Sequence, residues 1–114
     1  MGFGSPQEKQ SKQSKQMEDE MSIKLAVQMQ VKDGKSAEFE SVAQPAAAKV
    51  RAEDKGCEQY HLYRSLDEPT RFVLLESWST AEDLAAHRTS AGMVEMQKIG
   101  PLLAGRPSMI RVEE

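Results

Sequence analysis

The stretch RFVLLESWSTAEDLAAH, residues 71–87, runs from a strand through a turn into a helix. Its first eight residues are rich in leucine, valine and aromatic side chains, and successive residues of a strand point to opposite faces of a sheet. Both faces are apolar at the centre of this strand, with Phe72 and Leu74 on one and Val73 and Leu75 on the other. A sheet built around this strand needs a cover on each side, which we expect to be helices on one face and a partner subunit on the other.

The helix after this strand starts at a recognisable initiation signal. Ser79 has Glu82 three positions later, which matches a capping box, so we expect Ser79 to be the N-cap. His87 follows Leu84 by one helical turn, which places the imidazole on the side of the helix that faces the sheet.

Outside this stretch, apolar periodicity predicts three more strands and two more helical segments. The strands are one with alternating apolar residues from Ile23 to Val31, one over about 58–64 and a short one over 108–113. The helical segments are one from Ser36 to about Asp54, which ends near Gly56, and one over about 93–103. The resulting order, βαββαβ, predicts an α+β, ferredoxin-like fold with a four-stranded antiparallel sheet. The apolar second face of that sheet predicts a homodimer in which two sheets face each other.

Composition is that of one small domain of ordinary soluble type. The 114 residues carry a net charge of -3, which argues against a nucleic-acid partner because phosphate binding requires a basic face. The single cysteine, Cys57, excludes an intrachain disulfide and argues against a cysteine-based zinc site. No apolar run reaches the length of a membrane span and no signal-peptide core is visible, so we expect a cytoplasmic protein without a membrane partner.

The first 21 residues differ from the rest of the chain. The segment QEKQSKQSKQMEDE, residues 7–20, consists of Gln, Lys, Ser and acidic residues with almost nothing to bury. Ordering such a segment costs more entropy than its contacts return. We therefore expect residues 1–21 to be a disordered or weakly helical tail and residues 22–114 to be the folded domain.

Within the predicted domain, GCEQYHLYRSLDEPTRFVLLESWSTAEDLAAH, residues 56–87, resembles the signature of antibiotic biosynthesis monooxygenase (ABM) domains. The matching features are the Gly-Cys opening, the Tyr-x-Leu-Tyr-Arg strand, the Glu-x-Trp strand end and the helix that reaches Ala-His. PLLAGRP, residues 101–107, matches before the last strand, so the resemblance covers about residues 23–112. It implies a dimeric α/β barrel, in which two ferredoxin-like sheets pack together.

For function, the resemblance implies a cofactor-independent oxygenase that acts on phenols or quinols. Two other activities of the superfamily fit less well. Haem-degrading members carry a ligand histidine and an asparagine where this chain has Gln97 and Val27. Isomerisation of a phosphorylated sugar needs more converging polar groups than the sequence offers. We therefore expect no haem, no other cofactor and no metal.

The residue best suited to a catalytic role is His87. Its ordinary pKa lies near neutrality, so an imidazole is suited to take a proton from a phenol as a general base. The structural alternative is a half-buried histidine bonded to a backbone carbonyl. Trp78, at the end of the strand before the helix, is a candidate wall for a planar substrate, although a core aromatic that locks helix to strand is the more common role.

Four further residues are candidates for substrate binding: Tyr60, Tyr63, Gln28 and Phe39. Tyr60 shares one strand face with Leu62 and Arg64, and Tyr63 lies on the other face, so we expect one tyrosine in the pocket and one in the dimer interface. Gln28 either holds a substrate oxygen or lies on a solvated face, and Phe39 is either core or pocket lining.

Glu76 shares a face with Phe72, Leu74 and Trp78, where a carboxylate needs a polar partner. We expect an ion pair with a neighbouring arginine, Arg64 or Arg71.

Two functions follow from these candidates. The first is a small dimeric monooxygenase in which His87 is the base and the substrate is a small aromatic phenol or quinol. The second is a non-catalytic dimeric module of the same fold that binds a small hydrophobic ligand or has a structural role. The relatives' second histidine, in Ser-Pro-His-Phe, is replaced here by Ser90, Ala91, Gly92 and Met93, which favours the second function.

Overall fold

The computed structural model describes residues 22–113, so the predicted tail at 1–21 lies outside the described residues. Within this range the elements are β1 (Ile23–Gln30), α1 (Ser36–Glu53), β2 (Cys57–Arg64), β3 (Arg71–Trp78), α2 (Ala81–His87), α3 (Ala91–Met96), a 3₁₀ helix (Gln97–Leu102) and β4 (Ser108–Val112). The predicted α+β, ferredoxin-like order is confirmed. The helices of this part of the chain are all too short or too polar to cross a bilayer.

The four strands form one antiparallel sheet in the order β2-β3-β1-β4. Val27, Leu74 and Leu62 lie side by side across the sheet and define its helix face. The neighbouring row of Ala26, Leu75 and His61 points the other way and defines the open face. Because β2 and β4 are the two edges of an open sheet, a closed barrel requires a second copy of the chain.

Helix α1 covers the helix face of the sheet. Its buried side chains recur at helical spacing and form one stripe: Phe39, Ala43, Ala46, Ala47 and Val50. The small alanines allow the helix axis to approach the sheet closely. In the turn after α1, Gly56 has a φ angle of 79°, a conformation that glycine adopts without penalty. This stripe and the apolar residues of β1 and β3 make up one contiguous core.

The start of α2 differs from the prediction. The N-cap is Thr80, whose Oγ1 accepts a hydrogen bond from the backbone N–H of Asp83 at 3.0 Å. Ser79 is held one residue earlier, where its N–H and hydroxyl both donate to the carbonyl of Gly56. The predicted capping box of Ser79 and Glu82 is therefore wrong, because Ser79 still belongs to the contact between β3 and the turn after α1.

Helices α1 and α3 are in close contact at Gly92. A Cβ atom at this position would lie 2.6 Å from Val50 Cγ2 and 3.1 Å from the Val50 backbone nitrogen. Real Cβ atoms do not approach another atom as closely as 2.6 Å, and the nearby Val50 backbone leaves little room to adjust, so glycine suits the packing of the two helices best.

We expect Gly92→Ala to destabilise the domain by about 1–3 kcal/mol, because the added methyl group overpacks the α1–α3 contact. Gly100→Ala is the matched control, since a Cβ there meets nothing within 4 Å. Urea unfolding followed by circular dichroism measures both changes, and equal stability of the two variants would contradict this account.

Candidate active site

Three aromatic rings meet on the helix face at the end of β3, and we call Tyr60, Trp78 and His87 the aromatic cluster. His87, in the last turn of α2, lies over the indole of Trp78 with 4.4 Å between ring centroids. Tyr60 presents its edge to the imidazole at 5.1 Å and to the indole at 6.2 Å. All three side chains are buried, with His87 only 3% exposed, so the imidazole faces the sheet as predicted.

The imidazole is held by a carboxylate rather than by a backbone carbonyl. His87 Nδ1 lies 2.7 Å from Asp54 Oδ2, and Ser90 Oγ donates to the same oxygen at 2.8 Å. Because an ionised carboxylate only accepts hydrogen bonds, this contact places a proton on Nδ1 and leaves Nε2 as the atom that takes up a second proton. The buried Asp54–His87 pair therefore orients a base.

Sequence reasoning missed Asp54. It follows α1 directly, 33 positions before His87, and no local pattern distinguishes it from the other acidic residues of the chain. Only the packing of the end of α1 against the end of α2 brings the two side chains together.

Glu76 is the second buried carboxylate of the site. It is 5% exposed, and its Oε1 accepts a hydrogen bond from the indole Nε1–H of Trp78 at 2.9 Å. Burial raises the pKa of Glu76, and the bond from Trp78 and the charges of His87 and Arg88 offset part of that rise.

The predicted ion pair between Glu76 and an arginine is wrong. Arg64 instead pairs with Glu40 at 2.9 Å, and Arg71 pairs with Glu68 at 3.1 Å, both near the surface. A long guanidinium side chain gains more by staying hydrated at the sheet edge than by entering the core, so a neutral indole N–H supplies the bond that Glu76 needs.

Three polar atoms of the site have no hydrogen-bond partner among the described residues. Every enclosed side-chain nitrogen or oxygen among residues 22–113 has a hydrogen-bond partner. In the same range no described partner satisfies Nε2 of His87, the hydroxyl of Tyr60 or the second carboxylate oxygen of Glu76. These atoms therefore reach accessible space. Burial also raises the pKa of Tyr60 far above its usual range, so this phenol stays a hydrogen-bond donor.

The other candidates lie elsewhere. Phe39 packs on Phe72 with 4.6 Å between ring centroids. Phe72 lies six residues before Trp78 on β3, which is roughly 20 Å along the strand, so Phe39 is far from the aromatic cluster. Tyr63 is 47% exposed and, with Gln28, lines a cleft of about 370 Å³ at one end of the open face. The structure thus brings together His87, Trp78 and Tyr60 but not the remaining three, whose binding roles stay predictions.

The separation of the two tyrosines has a simple geometric cause. Residues three apart on a strand point to opposite faces, so Tyr60 joins the buried aromatic cluster and Tyr63 points away from it.

As for metal binding, residues 22–113 contain no group of three or more His, Cys, Asp or Glu side chains placed to hold an ion.

The fold and the aromatic cluster define a ferredoxin-like domain with a buried histidine–carboxylate pair. The family model for antibiotic biosynthesis monooxygenase matches residues 22–99, and the chain belongs to this family. No curated protein matches the chain.

Solved structures agree with this assignment. A protein of Caulobacter crescentus, provisionally named an antibiotic biosynthesis monooxygenase, is 30% identical over 84% of this chain and 92% of its own, with a TM-score of 0.77. A Bordetella bronchiseptica protein with the same provisional name is 26% identical over 82% of this chain and 96% of its own, with a TM-score of 0.70. A third from Nitrosomonas europaea shares the fold at 23% identity, with a TM-score of 0.76 over 82% and 89% of the two chains.

We expect Asp54→Ala to lower the free energy of unfolding by about 2–3 kcal/mol, because it leaves the buried His87 Nδ1–H and the Ser90 hydroxyl without an acceptor. Ser90→Ala is the control. It removes one bond to Asp54 and the N-cap of α3, and we expect a loss of only about 1 kcal/mol. Urea titration ranks the two variants, and a loss in Asp54→Ala no greater than that in Ser90→Ala would show that the pair is structurally unimportant.

Proposed function

We propose that this protein is a cofactor-independent monooxygenase that acts on a small aromatic phenol or quinol. Family membership and the names of its solved relatives support oxygenase chemistry. The observation that carries the proposal is the buried Asp54–His87 pair, which leaves a single unpaired basic nitrogen, Nε2, beside two aromatic rings.

In the proposed reaction, His87 Nε2 accepts the proton of the substrate hydroxyl. The imidazolium is stabilised because Asp54 holds the opposite nitrogen, and the resulting phenolate is electron-rich enough to pass electrons to dioxygen. A ring carbon forms a bond to one oxygen atom, and the O–O bond then breaks to release the other as water. Phenol plus dioxygen gives quinone plus water, so the substrate supplies all the electrons and no external reductant is consumed.

Substrate access requires a local opening of the helix face. Tyr60, Trp78 and His87 are each at most 3% exposed, so a planar ring reaches Nε2 only when neighbouring packing separates. We propose that this opening leaves the Asp54–His87 hydrogen bond intact, because the base needs that bond during the reaction. Trp78 then supports the imidazole from behind, and Tyr60 donates a hydrogen bond to the bound oxygen.

We also propose that two copies form a cytoplasmic homodimer through their open faces. Half-buried Val73 and Leu75 lie at the centre of that face, and Tyr63, Ile110 and Val112 are 47%, 43% and 38% exposed around them. Ala26 of β1 connects the residues of β3 and β4, so apolar side chains extend across all four strands, and such a surface on a small domain is normally covered by a partner.

Replacing His87 by Gln tests the catalytic role. Gln keeps an N–H donor for Asp54 but supplies no base, so we expect oxygen uptake with a model hydroquinone to fall by about 10²–10⁴-fold. His61→Gln is the matched control, because His61 lies exposed on the open face and is expected to leave the rate unchanged. Equal uptake by wild type and His87→Gln would eliminate His87 as the base and would fit a non-catalytic ligand-binding module.

Replacing Ile110 by Glu tests the dimer. A charge buried within a sheet-to-sheet contact cannot be hydrated, so we expect a monomer by analytical ultracentrifugation where wild type is a dimer. Val94→Glu, which changes an exposed valine of α3, should remain dimeric. A wild-type protein that sediments as a monomer refutes the proposed assembly.

A further inference from the structure

Glu76 occupies a position where a charged side chain is costly. Across the sheet its neighbours are Leu25 on β1 and Tyr60 on β2, both buried. No lysine or arginine of residues 22–113 lies within ion-pair distance of its carboxylate, and its one described hydrogen bond comes from the neutral indole of Trp78. The raised pKa of Glu76 reflects this burial and shows that the ionised form is disfavoured here.

The fold does not need this charge. A neutral glutamine has a carbonyl oxygen that would accept the same bond from Trp78, without the penalty of burying an ion. A buried ionisable group with no opposite charge to neutralise it, placed beside a buried base, is a candidate for binding or catalysis.

Glu76 and the base His87 contact the same indole. Trp78 contacts both groups, because its Nε1–H bonds Glu76 Oε1 at 2.9 Å while its ring face lies 4.4 Å from the His87 ring. One rigid indole therefore sets the position of the carboxylate relative to the imidazole, and each presents one accessible polar atom to the helix face.

We propose that Glu76 selects for a second hydroxyl group on the substrate ring. Its second carboxylate oxygen accepts a hydrogen bond from that hydroxyl while the first hydroxyl gives its proton to His87 Nε2. The inference rests on the proposed function and narrows it to dihydroxy aromatics of the catechol or hydroquinone type, with Glu76 as a binding residue in direct contact with substrate.

The charges of the site are consistent with this role. The charge of His87 lowers the pKa of Glu76 and so favours the ionised carboxylate, which is the better hydrogen-bond acceptor. Arg88 acts in the same direction, whereas burial acts against it.

Binding without turnover tests the proposal. The full chain is titrated anaerobically with catechol and with guaiacol, 2-methoxyphenol, which has the same ring but a methoxy group in place of one hydroxyl. Trp78 is the only tryptophan of the sequence, so its fluorescence reports directly on the site, and titration calorimetry gives an independent dissociation constant. We expect wild type to prefer catechol by about tenfold or more, the effect of a hydrogen bond to a charged acceptor.

In Glu76→Gln the carbonyl oxygen keeps the bond to Trp78 and an NH₂ group faces the ligand. An NH₂ donor bonds a methoxy oxygen as well as a hydroxyl, so we expect the preference for catechol to fall to within about twofold. Glu95→Gln, which changes an exposed carboxylate paired with Lys98, should retain the wild-type preference.

Thermal unfolding confirms that the Gln variant is folded. Because the folded-state pKa of Glu76 is raised, the carboxylate costs stability at pH values above that pKa and costs nothing below the ordinary value, about 4.3. Glu76→Gln should therefore melt above wild type near neutral pH, and the difference should shrink as the pH falls.

The proposal is overturned if wild type binds catechol and guaiacol equally or binds neither, or if Glu76→Gln keeps the preference. These readouts use no oxygen, so they are separate from the oxygen-uptake test of His87. A protein that distinguishes the ligands but consumes no oxygen would keep the role of Glu76 and lose the monooxygenase proposal.

Discussion

The hydrogen bond between His87 and Asp54 connects the ends of two helices that are distant in sequence. Nδ1 of His87 at the end of α2 lies 2.7 Å from Oδ2 of Asp54, which follows α1, and both side chains are almost completely buried. Ser90 adds a second bond to the same carboxylate oxygen at the point where α3 begins. Three helix termini therefore converge on Asp54, and the position of the imidazole over Trp78 depends on this arrangement.

A second constraint comes from the sheet. The Glu76–Trp78 hydrogen bond joins residues two apart on β3, whose side chains point to the same face of the sheet. The combination of a buried carboxylate, a base and a phenol on one small surface lowers stability, because each group loses hydration. Buried groups that lower stability in this way are concentrated at functional sites rather than in cores whose only role is packing.

The two faces of the sheet divide the functions that we propose. The helix face carries the aromatic cluster and the acid–base groups, whereas the open face carries exposed apolar residues and the cleft bordered by Tyr63 and Gln28. Strand alternation alone produces this division. Residues that the sequence places close together, such as Tyr60 and Tyr63, are therefore separated by the thickness of the sheet.

Much of the fold was predictable from the sequence. Alternation from residue 23 and across 71–78, and the alanine-rich stripe of α1, determine the βαββαβ order, because periodicity of 2 or 3.6 residues is a local property. The same argument placed His87 on the face of α2 that meets the sheet. It failed at the cap of α2, where Thr80 replaces Ser79, because a tertiary contact with Gly56 decides which hydroxyl is available.

The partners of the buried charges were decided by tertiary structure alone. The sequence identified His87 and Glu76 as residues that need polar partners, but it indicated neither Asp54 for the first nor Trp78 for the second. A hydrogen bond depends on distances of a few tenths of an ångström between side chains brought together by helix packing, and no local periodicity encodes that distance. Sequence thus determined which residues face inward, and only the packed structure decided which of them meet.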